Sequence, residues 1–148
     1  MRIVAGSDHA GVGLKDHLVA RLREQGHEVE DVGTNGTTSV DYPDFGTKVA
    51  RAVGEGRADR GLLVCGTGQG MAMTANRVPG VRAAVVSDTF TARATRAHND
   101  ANVLCLGQRV IGHGVAEEIV DAFLRTEFEG GRHAGRIAKI NGLDGGKS

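Results

Sequence analysis

The sequence has 148 residues, of which 40% are hydrophobic and 24% charged, so we expect one globular domain spanning residues 1–148. Its 18 basic and 18 acidic side chains give a net charge of zero. This argues against general binding to nucleic acid or anionic membranes but does not exclude a local cationic pocket. No apolar run is long enough for a membrane span or a signal peptide, so we expect a cytoplasmic protein whose two cysteines are free thiols.

Short apolar runs that favour strands alternate with helical patterns along the chain. The runs predict strands over residues 3–5, 28–32, 61–65, 81–86 and 102–106. Near-continuous apolar strands separated by helices are typical of an open parallel sheet that is covered on both faces. In such sheets ligands bind beyond the carboxyl ends of the strands.

The predicted helices are marked by their periodicity and by their end residues. The first helix has Lys15 on its polar side and ends at Gly26. Pro43 predicts the start of the next helix, and Asp88 predicts the cap of a helix that runs to Thr95. Further helices are predicted after the glycine-rich turn at residues 66–70, over residues 115–123, and as a short helix from residues 129–136; residues 142–148 are expected to be frayed.

The most informative segment is the strand that ends at Cys65 and continues into Gly66-Thr67-Gly68-Gln69-Gly70. A thiol beside backbone amides and a helix N-terminus could take a proton from carbon and stabilise the resulting negative charge. The turn could equally be a tight connection with Thr67 as helix cap, or a phosphate or dinucleotide loop. Met71 stands where the dinucleotide fingerprint requires glycine, and the P-loop Gly-Lys-Ser/Thr is absent. Cys65 could also be a buried apolar residue, the role that we favour for Cys105.

Other polar residues fall near the predicted strand ends. Asp8 and His9 follow the first strand, where Asp8 could cap a helix or both could contact a ligand. His98 lies between a helix and the fifth strand, and a histidine that titrates near neutrality suits proton transfer. Arg132 and Arg136 share one face if they are helical, which suits either a phosphate clamp or a solvated surface. Arg109 could join them, whereas His17, His27 and His113 lack metal-ligand spacing, so we expect no metal site.

Several segments together resemble the ribose-5-phosphate isomerase B family, which also includes the galactose-6-phosphate isomerase subunits. They occur in the family's order over residues 1 to about 140: Gly6–Gly11, Asp41–Pro43, Cys65–Gly70, Ala75–Asn76, His98–Asn102 and Gly130–His133. The resemblance implies a Rossmann-like α/β/α sandwich with a five-stranded parallel sheet. It also implies a homodimer or tetramer with active sites shared between subunits, acting on a phosphorylated sugar. No cofactor is expected, since the substrate is oxidised at one carbon and reduced at the next.

The resemblance also implies roles for individual residues. Cys65 would move the proton between C1 and C2 of the sugar, and Asp8 would handle a hydroxyl proton. His98, from the neighbouring subunit, would assist ring opening. The enediolate would be stabilised by Thr67 and the backbone amides of Gly66, Gly68, Gln69 and Gly70. Asn99 would contact the sugar and Tyr42 would line the pocket, while the phosphate would be held by His9, Arg109, Arg132 and Arg136, far from Cys65 along the pocket.

The exact substrate stays open at this point. One branch of the family uses a glutamate in the early helix as base; residues 71–77 contain no acid, so this chain resembles the cysteine branch. Gln69 stands where an apolar residue is expected in many ribose isomerases. The leading prediction is therefore isomerisation of ribose 5-phosphate to ribulose 5-phosphate. The alternatives are a tetrose 4-phosphate, allose 6-phosphate or galactose 6-phosphate isomerase, or a non-catalytic module that binds a sugar phosphate or nucleotide.

Overall fold

A five-stranded parallel sheet forms the centre of the computed structural model, which describes residues 1–144. The strands are β1 (Arg2–Ser7), β2 (Glu28–Asp31), β3 (Arg60–Cys65), β4 (Ala83–Val85) and β5 (Val103–Gly107), in the spatial order β2-β1-β3-β5-β4. The chain moves outward from β1 to β2 and then returns to place β3 on the other side of β1. The junction of β1 and β3 is therefore the switch point beyond which parallel sheets bind ligands. The predicted five-stranded parallel α/β fold is confirmed.

Helices cover both faces of the sheet because its strand residues alternate between two apolar cores. The helices are α1 (Val12–Glu24), α2 (Tyr42–Gly54), α3 (Gln69–Ala75), α4 (Thr89–Ala97), α5 (His113–Arg125) and α6 (Arg132–Gly142). Leu62 and Val64 of β3 pack in the core that includes residues of α1, α4 and α5. Leu63 and Cys65 point the other way, into the core shared with α2 and α3. Cys105 is fully buried in that second core, as predicted, and burial raises the pKa of its thiol.

The helix-end signals in the sequence act where they were predicted. Gly26, just beyond α1, has a φ of +91°, and Pro43 lies in the first turn of α2. The Asp88 carboxylate accepts a hydrogen bond of 2.6 Å from the backbone N–H of Thr91, which caps α4. Residues 1–144 contain no helix that is both long and apolar enough to cross a bilayer.

Several elements differ in length from their predictions. β1, predicted over residues 3–5, spans Arg2–Ser7, and α5, predicted over residues 115–123, spans His113–Arg125. β4 has three residues instead of six. Just before it, the Arg82 backbone N–H donates to the Asn102 side chain at 2.8 Å and not to a strand carbonyl. α6 is an eleven-residue helix and not a short one. Beyond α6 the Asp144 carboxylate accepts a hydrogen bond from the Gly80 N–H at 3.0 Å. The rest of the predicted frayed end, residues 145–148, lies outside the described residues.

Candidate active site

The turn that follows β3 wraps around the Cys65 sulfur. The Cys65 side chain ends β3 with 5% exposure, and its Sγ accepts a hydrogen bond of 3.1 Å from the Gly68 N–H. Gly68 has a φ of +82°, a conformation that side chains other than glycine rarely adopt, and it immediately precedes α3. An N–H group donates more strongly to a charged acceptor than to a neutral one. The turn therefore suits a sulfur that becomes negatively charged during a reaction.

Thr67 and Gln69 form the exposed outer side of this turn. The Gln69 N–H donates to Thr67 Oγ1 at 3.3 Å, while Gly68 is the N-cap of α3 and accepts the first helical hydrogen bond from Ala72. Thr67 is thus not the helix N-cap that one interpretation of the sequence gave it. The amides of Gly68 and Gln69 are both engaged within the turn, so these two are not free donors in this conformation.

Two side chains from elsewhere in the chain pack on the glycines of the turn. Tyr42, the first residue of α2, lies so close to Gly70 that a Cβ there would be 2.5 Å from the ring atom Cε1. Arg109, beyond β5, lies over Gly66, where an added Cβ would be 3.7 Å from the guanidinium Nη1. The cationic groups were expected far from Cys65, but Arg109 lies on Gly66, the residue next to it.

Asp8 and His9 lie at the same edge of the sheet, at the end of β1. The Asp8 N–H donates to the Val64 carbonyl at 3.3 Å, which places Asp8 beside the end of β3. Asp8 does not cap α1, whose N-cap is Gly11; its carboxylate accepts from the Ala10 N–H at 3.0 Å. His9 Nδ1 accepts a hydrogen bond of 3.1 Å from the Val40 N–H. In the neutral ring the proton is therefore on Nε2, which can donate to a ligand.

Lys15 supports this edge and was missed by the sequence analysis, which placed it on the polar side of α1. Its side chain is fully buried, and Nζ donates to both Asp31 carboxylate oxygens at 2.9 Å and to the Thr34 carbonyl at 2.7 Å. The buried charge is thus paired and hydrogen-bonded. Lys15 ties α1 to the segment that leads to Val40, the residue that orients His9.

A second group of predicted residues surrounds His98, which follows α4. The His98 ring stacks on His133 with 4.6 Å between centroids and 17° between planes. Glu129 Oε1 lies 3.7 Å from His98 Nε2 and 3.6 Å from His133 Nε2. Burial lowers the pKa of His133, and the nearby Arg132 charge lowers it further. His133 and Glu129 were not predicted as site residues. His133 ends one of the segments that carry the resemblance, and the four-residue spacing from Glu129 places both near the start of α6.

The structure places these two groups at opposite ends of the strands, the first at the carboxyl edge of the sheet and the second at its amino edge. Cys65 pairs with Gly107 at the carboxyl end of β5, whereas His98 precedes the start of β5 at Val103. Four residues of strand at about 3.3 Å each separate the two levels by about 13 Å. One edge carries the first set: Asp8, His9, Tyr42, Cys65, Thr67, Gln69 and Arg109. The other edge carries the second set: His98, Asn99, Arg132 and Arg136.

Two clefts in residues 1–144 both lie away from Cys65. One, of about 690 Å³, lies between β2 and α2 and is lined by charged residues such as Glu30 and Lys48. The other, of about 440 Å³, lies between β4 and α6 and includes Asn99. A ligand that reacts at Cys65 therefore binds in neither cleft, and its site must be enclosed by other residues.

Comparison with known proteins gives a consistent result over nearly the whole chain. The model of the ribose/galactose isomerase family matches residues 3–140. The chain is 46% identical to ribose-5-phosphate isomerase B of Escherichia coli, over 97% of this chain and 96% of that protein. It is 42% identical to the D-erythrulose-4-phosphate isomerase of Pectobacterium atrosepticum, over 95% and 93% of the two chains.

Solved structures show the same likeness in three dimensions. Ribose-5-phosphate isomerase B of Clostridium thermocellum is 53% identical and superimposes with a TM-score of 0.97, covering 100% of both chains. The Mycoplasma genitalium ribose-5-phosphate isomerase B, solved with bound ribulose-5-phosphate, is 43% identical with a TM-score of 0.94, covering 98% of this chain and 97% of that one.

Proposed function

This chain belongs to the ribose/galactose isomerase family and is a sugar-phosphate isomerase, and from that premise we propose that it interconverts ribose 5-phosphate and ribulose 5-phosphate through an enediolate. The names of the Escherichia coli and Clostridium thermocellum relatives support this substrate, as does the ribulose-5-phosphate bound to the Mycoplasma genitalium protein. The buried Cys65 thiol inside a glycine turn, at the switch point of the sheet, is the observation that carries the proposal.

Cys65 is the base that moves the proton between C1 and C2. Its thiolate takes the proton from the carbon beside the carbonyl and returns it to the adjacent carbon, so one group within reach of both carbons suffices. The Gly68 N–H at 3.1 Å supports the sulfur while it is charged. Cys105 is excluded from this role because it is fully buried in the core.

Donors around the turn stabilise the enediolate. Thr67 is exposed two residues after Cys65, and in this proposal its side chain and the turn amides not engaged at Gly68 and Gln69 donate to the enediolate oxygens. One preorganised donor at a developing oxyanion contributes about 3 kcal/mol to lowering the barrier. Arg109, on Gly66, adds a positive charge close to the turn.

Groups at the same edge of the sheet take up a hydroxyl proton and hold the phosphate. Asp8 accepts a hydroxyl proton beside the end of β3, and His9 donates Nε2–H to a phosphate oxygen because Val40 occupies its Nδ1. Tyr42 lines the pocket above Gly70. Binding energy from the phosphate then positions C1 and C2 at Cys65.

Each complete site uses two copies of the chain. His98, which opens the sugar ring, precedes the start of β5, whereas Cys65 of the same chain lies level with the end of β5, about 13 Å further along the sheet. In a two-fold dimer the second set of one protomer can face the first set of its partner, bringing Asn99 to the sugar and Arg132 and Arg136 to the phosphate. The separation of the two sets within one chain supports this arrangement.

The runner-up is isomerisation of another sugar phosphate, above all a tetrose 4-phosphate. The Pectobacterium atrosepticum relative is a D-erythrulose-4-phosphate isomerase at 42% identity. Gln69 is exposed at the mouth of the turn, where its amide can contact a substrate of a different length. Allose 6-phosphate and galactose 6-phosphate belong in the same test.

The first experiment measures turnover of this substrate panel by the wild type, Cys65→Ala and the matched control Cys105→Ala. We expect ribose 5-phosphate to be preferred. Cys65→Ala should lose about 10²–10⁴-fold in kcat while it still binds the substrate, since loss of a general base has this effect. Cys105→Ala should retain kcat. Full turnover by Cys65→Ala contradicts the role of the thiol, and another preferred sugar reassigns the substrate.

The shared site is tested by mixing two inactive variants, Cys65→Ala and His98→Asn. In a mixed dimer with shared sites, one site carries both changes and the other carries none. Random exchange of subunits in a 1:1 mixture should therefore restore about a quarter of wild-type activity. Each variant mixed with itself is the control. A mixture that exchanges subunits without regaining activity contradicts the two-chain site.

A further inference from the structure

Three potential metal ligands converge at the end of α4: one nitrogen each from His98 and His133 and a carboxylate oxygen of Glu129. These atoms lie within 4.8 Å of one another. Imidazole nitrogen with carboxylate oxygen is a ligand set typical of zinc-type divalent ions, and three protein ligands leave a fourth position open. The expectation of no metal site rested on the spacing of His17, His27 and His113.

The distances in this cluster fit metal ligands better than hydrogen-bond partners. Glu129 Oε1 is 3.7 Å from His98 Nε2 and 3.6 Å from His133 Nε2, both beyond the usual range of about 2.7–3.2 Å for a hydrogen bond. Bonds of about 2.0–2.1 Å to a tetrahedral Zn²⁺ ion would place neighbouring ligand atoms about 3.4 Å apart. The Glu129 carboxylate is therefore too far from either ring for a direct hydrogen bond, but close to the separation expected between two ligands of one ion.

His133 supplies an independent observation. Its side chain is 8% exposed, and its Nε2 atom is buried without a hydrogen-bond partner among residues 1–144. Buried polar atoms are normally satisfied, so an orphaned nitrogen indicates an absent partner. That nitrogen is on the side of the ring that faces Glu129 Oε1.

The other two ligands can move to complete the site. The side chains of His98 and Glu129 are 47% and 55% exposed, so the His98 ring can rotate out of its stack and turn its nitrogen toward a common centre. Arg132 and Arg136 act on His133 with positive charge, which opposes a dication, and the one carboxylate offsets only part of that charge. We therefore expect affinity on the order of micromolar, weaker than that of structural zinc sites.

We propose that His98, Glu129 and His133 bind a zinc-type divalent ion and that its binding inhibits the enzyme reversibly. The metal takes the His98 nitrogen that otherwise serves ring opening. The inhibition thus rests on the proposed function, whereas the binding does not.

The test titrates Zn²⁺ into the full-length wild type, without substrate, by isothermal calorimetry. We expect one ion per chain. Glu129→Gln should weaken binding at least about tenfold, and the matched control Glu127→Gln, an exposed acid two residues away, should not. Co²⁺ should give the visible absorption of a site with nitrogen and oxygen ligands. Cys65→Ala should bind zinc like the wild type.

The outcomes separate the two halves of the proposal. Absent or non-saturable binding, or equal affinity in Glu129→Gln, overturns the site. Loss of binding in Cys65→Ala assigns the metal to the thiol and overturns it too. Isomerase assays with the free zinc concentration buffered should show inhibition at the calorimetric Kd, reversed by a chelator. Tight binding in the wild type without inhibition overturns the inhibitory role, and binding without any turnover of the sugar panel counts against the proposed function alone.

Discussion

Replacing Gly107 by alanine should move the turn at residues 66–70 without changing any of the turn's own chemical groups. Gly107 ends β5 opposite Cys65, and a Cβ on it would lie 2.8 Å from the Thr67 carbonyl carbon and Cα. Ordinary contact begins at 3.4 Å, so the Thr67 backbone must retreat by about 0.6 Å. Rotation of a side chain cannot relieve the clash, because both of the Thr67 atoms involved belong to the backbone.

The expected cost has two parts. Forcing an extra methyl group into a packed site costs about 1–3 kcal/mol, so Gly107→Ala should lower the free energy of unfolding by about 2 kcal/mol. A misplacement of about 1 Å at a reacting centre costs about 10²-fold in rate, so a shift of about half that should lower kcat by roughly tenfold or more. The variant keeps every side chain that reacts with or binds the substrate. Phosphate binding at His9 should therefore keep KM within a few-fold of the wild type.

Urea unfolding followed by circular dichroism and initial rates with ribose 5-phosphate measure the two parts. Gly114→Ala is the matched control, because Gly114 lies on α5 with no atom within 4 Å of an added Cβ. It should gain up to about 1 kcal/mol from helix propensity and keep its activity. A Gly107→Ala protein that is less stable but retains wild-type kcat would refute the link between the turn's position and catalysis. Unchanged stability would refute the packing argument itself.

Two further predictions concern stability. Lys15→Met leaves the partly buried Asp31 carboxylate without its ion partner, so it should lower the free energy of unfolding by about 3 kcal/mol. The control Lys139→Met changes an exposed lysine and should have little effect. Equal urea midpoints for the two variants would contradict the role of the buried pair. The hydrogen bond from Arg21 lowers the pKa of Asp121 below its usual 3.8, so its contribution is present above pH 3.8 and is lost as pH falls through the folded value. Asp121→Asn should therefore lose less stability than the wild type between about pH 4 and pH 2, and parallel losses in acid titrations of the two would show that the pair does not act.

Local patterns predict most of the fold because each signal acts on its own neighbourhood. Gly26, Pro43 and Asp88 end or begin helices through their own backbone or side chain, and apolar runs predict the strands. The residues at the switch point, Asp8 and Cys65, could also be found, because Asp8 directly follows β1 and Cys65 ends β3.

What the sequence could not predict depends on contacts between distant segments. Lys15 fits the polar side of a helical pattern, and only the return of residues 31–35 beneath it turns that position into a buried site. His133 and Glu129 acquire meaning only when α6 lies against the end of α4 at His98. The opposite placement of the two sets of site residues likewise follows from the strand order, which periodicity does not encode.

Because the two cysteines lie at different positions, the reactivity of their thiols reports local and global opening of the chain separately. Cys65 lies beneath the turn at the end of β3 with 5% exposure, whereas Cys105 lies inside β5 with none. Opening of the turn alone would expose the first sulfur, but the second becomes accessible only when the sheet itself comes apart. Thiol-labelling kinetics read by mass spectrometry should therefore show two separate rates, the faster one slowed by substrate, with no mutation introduced into the protein.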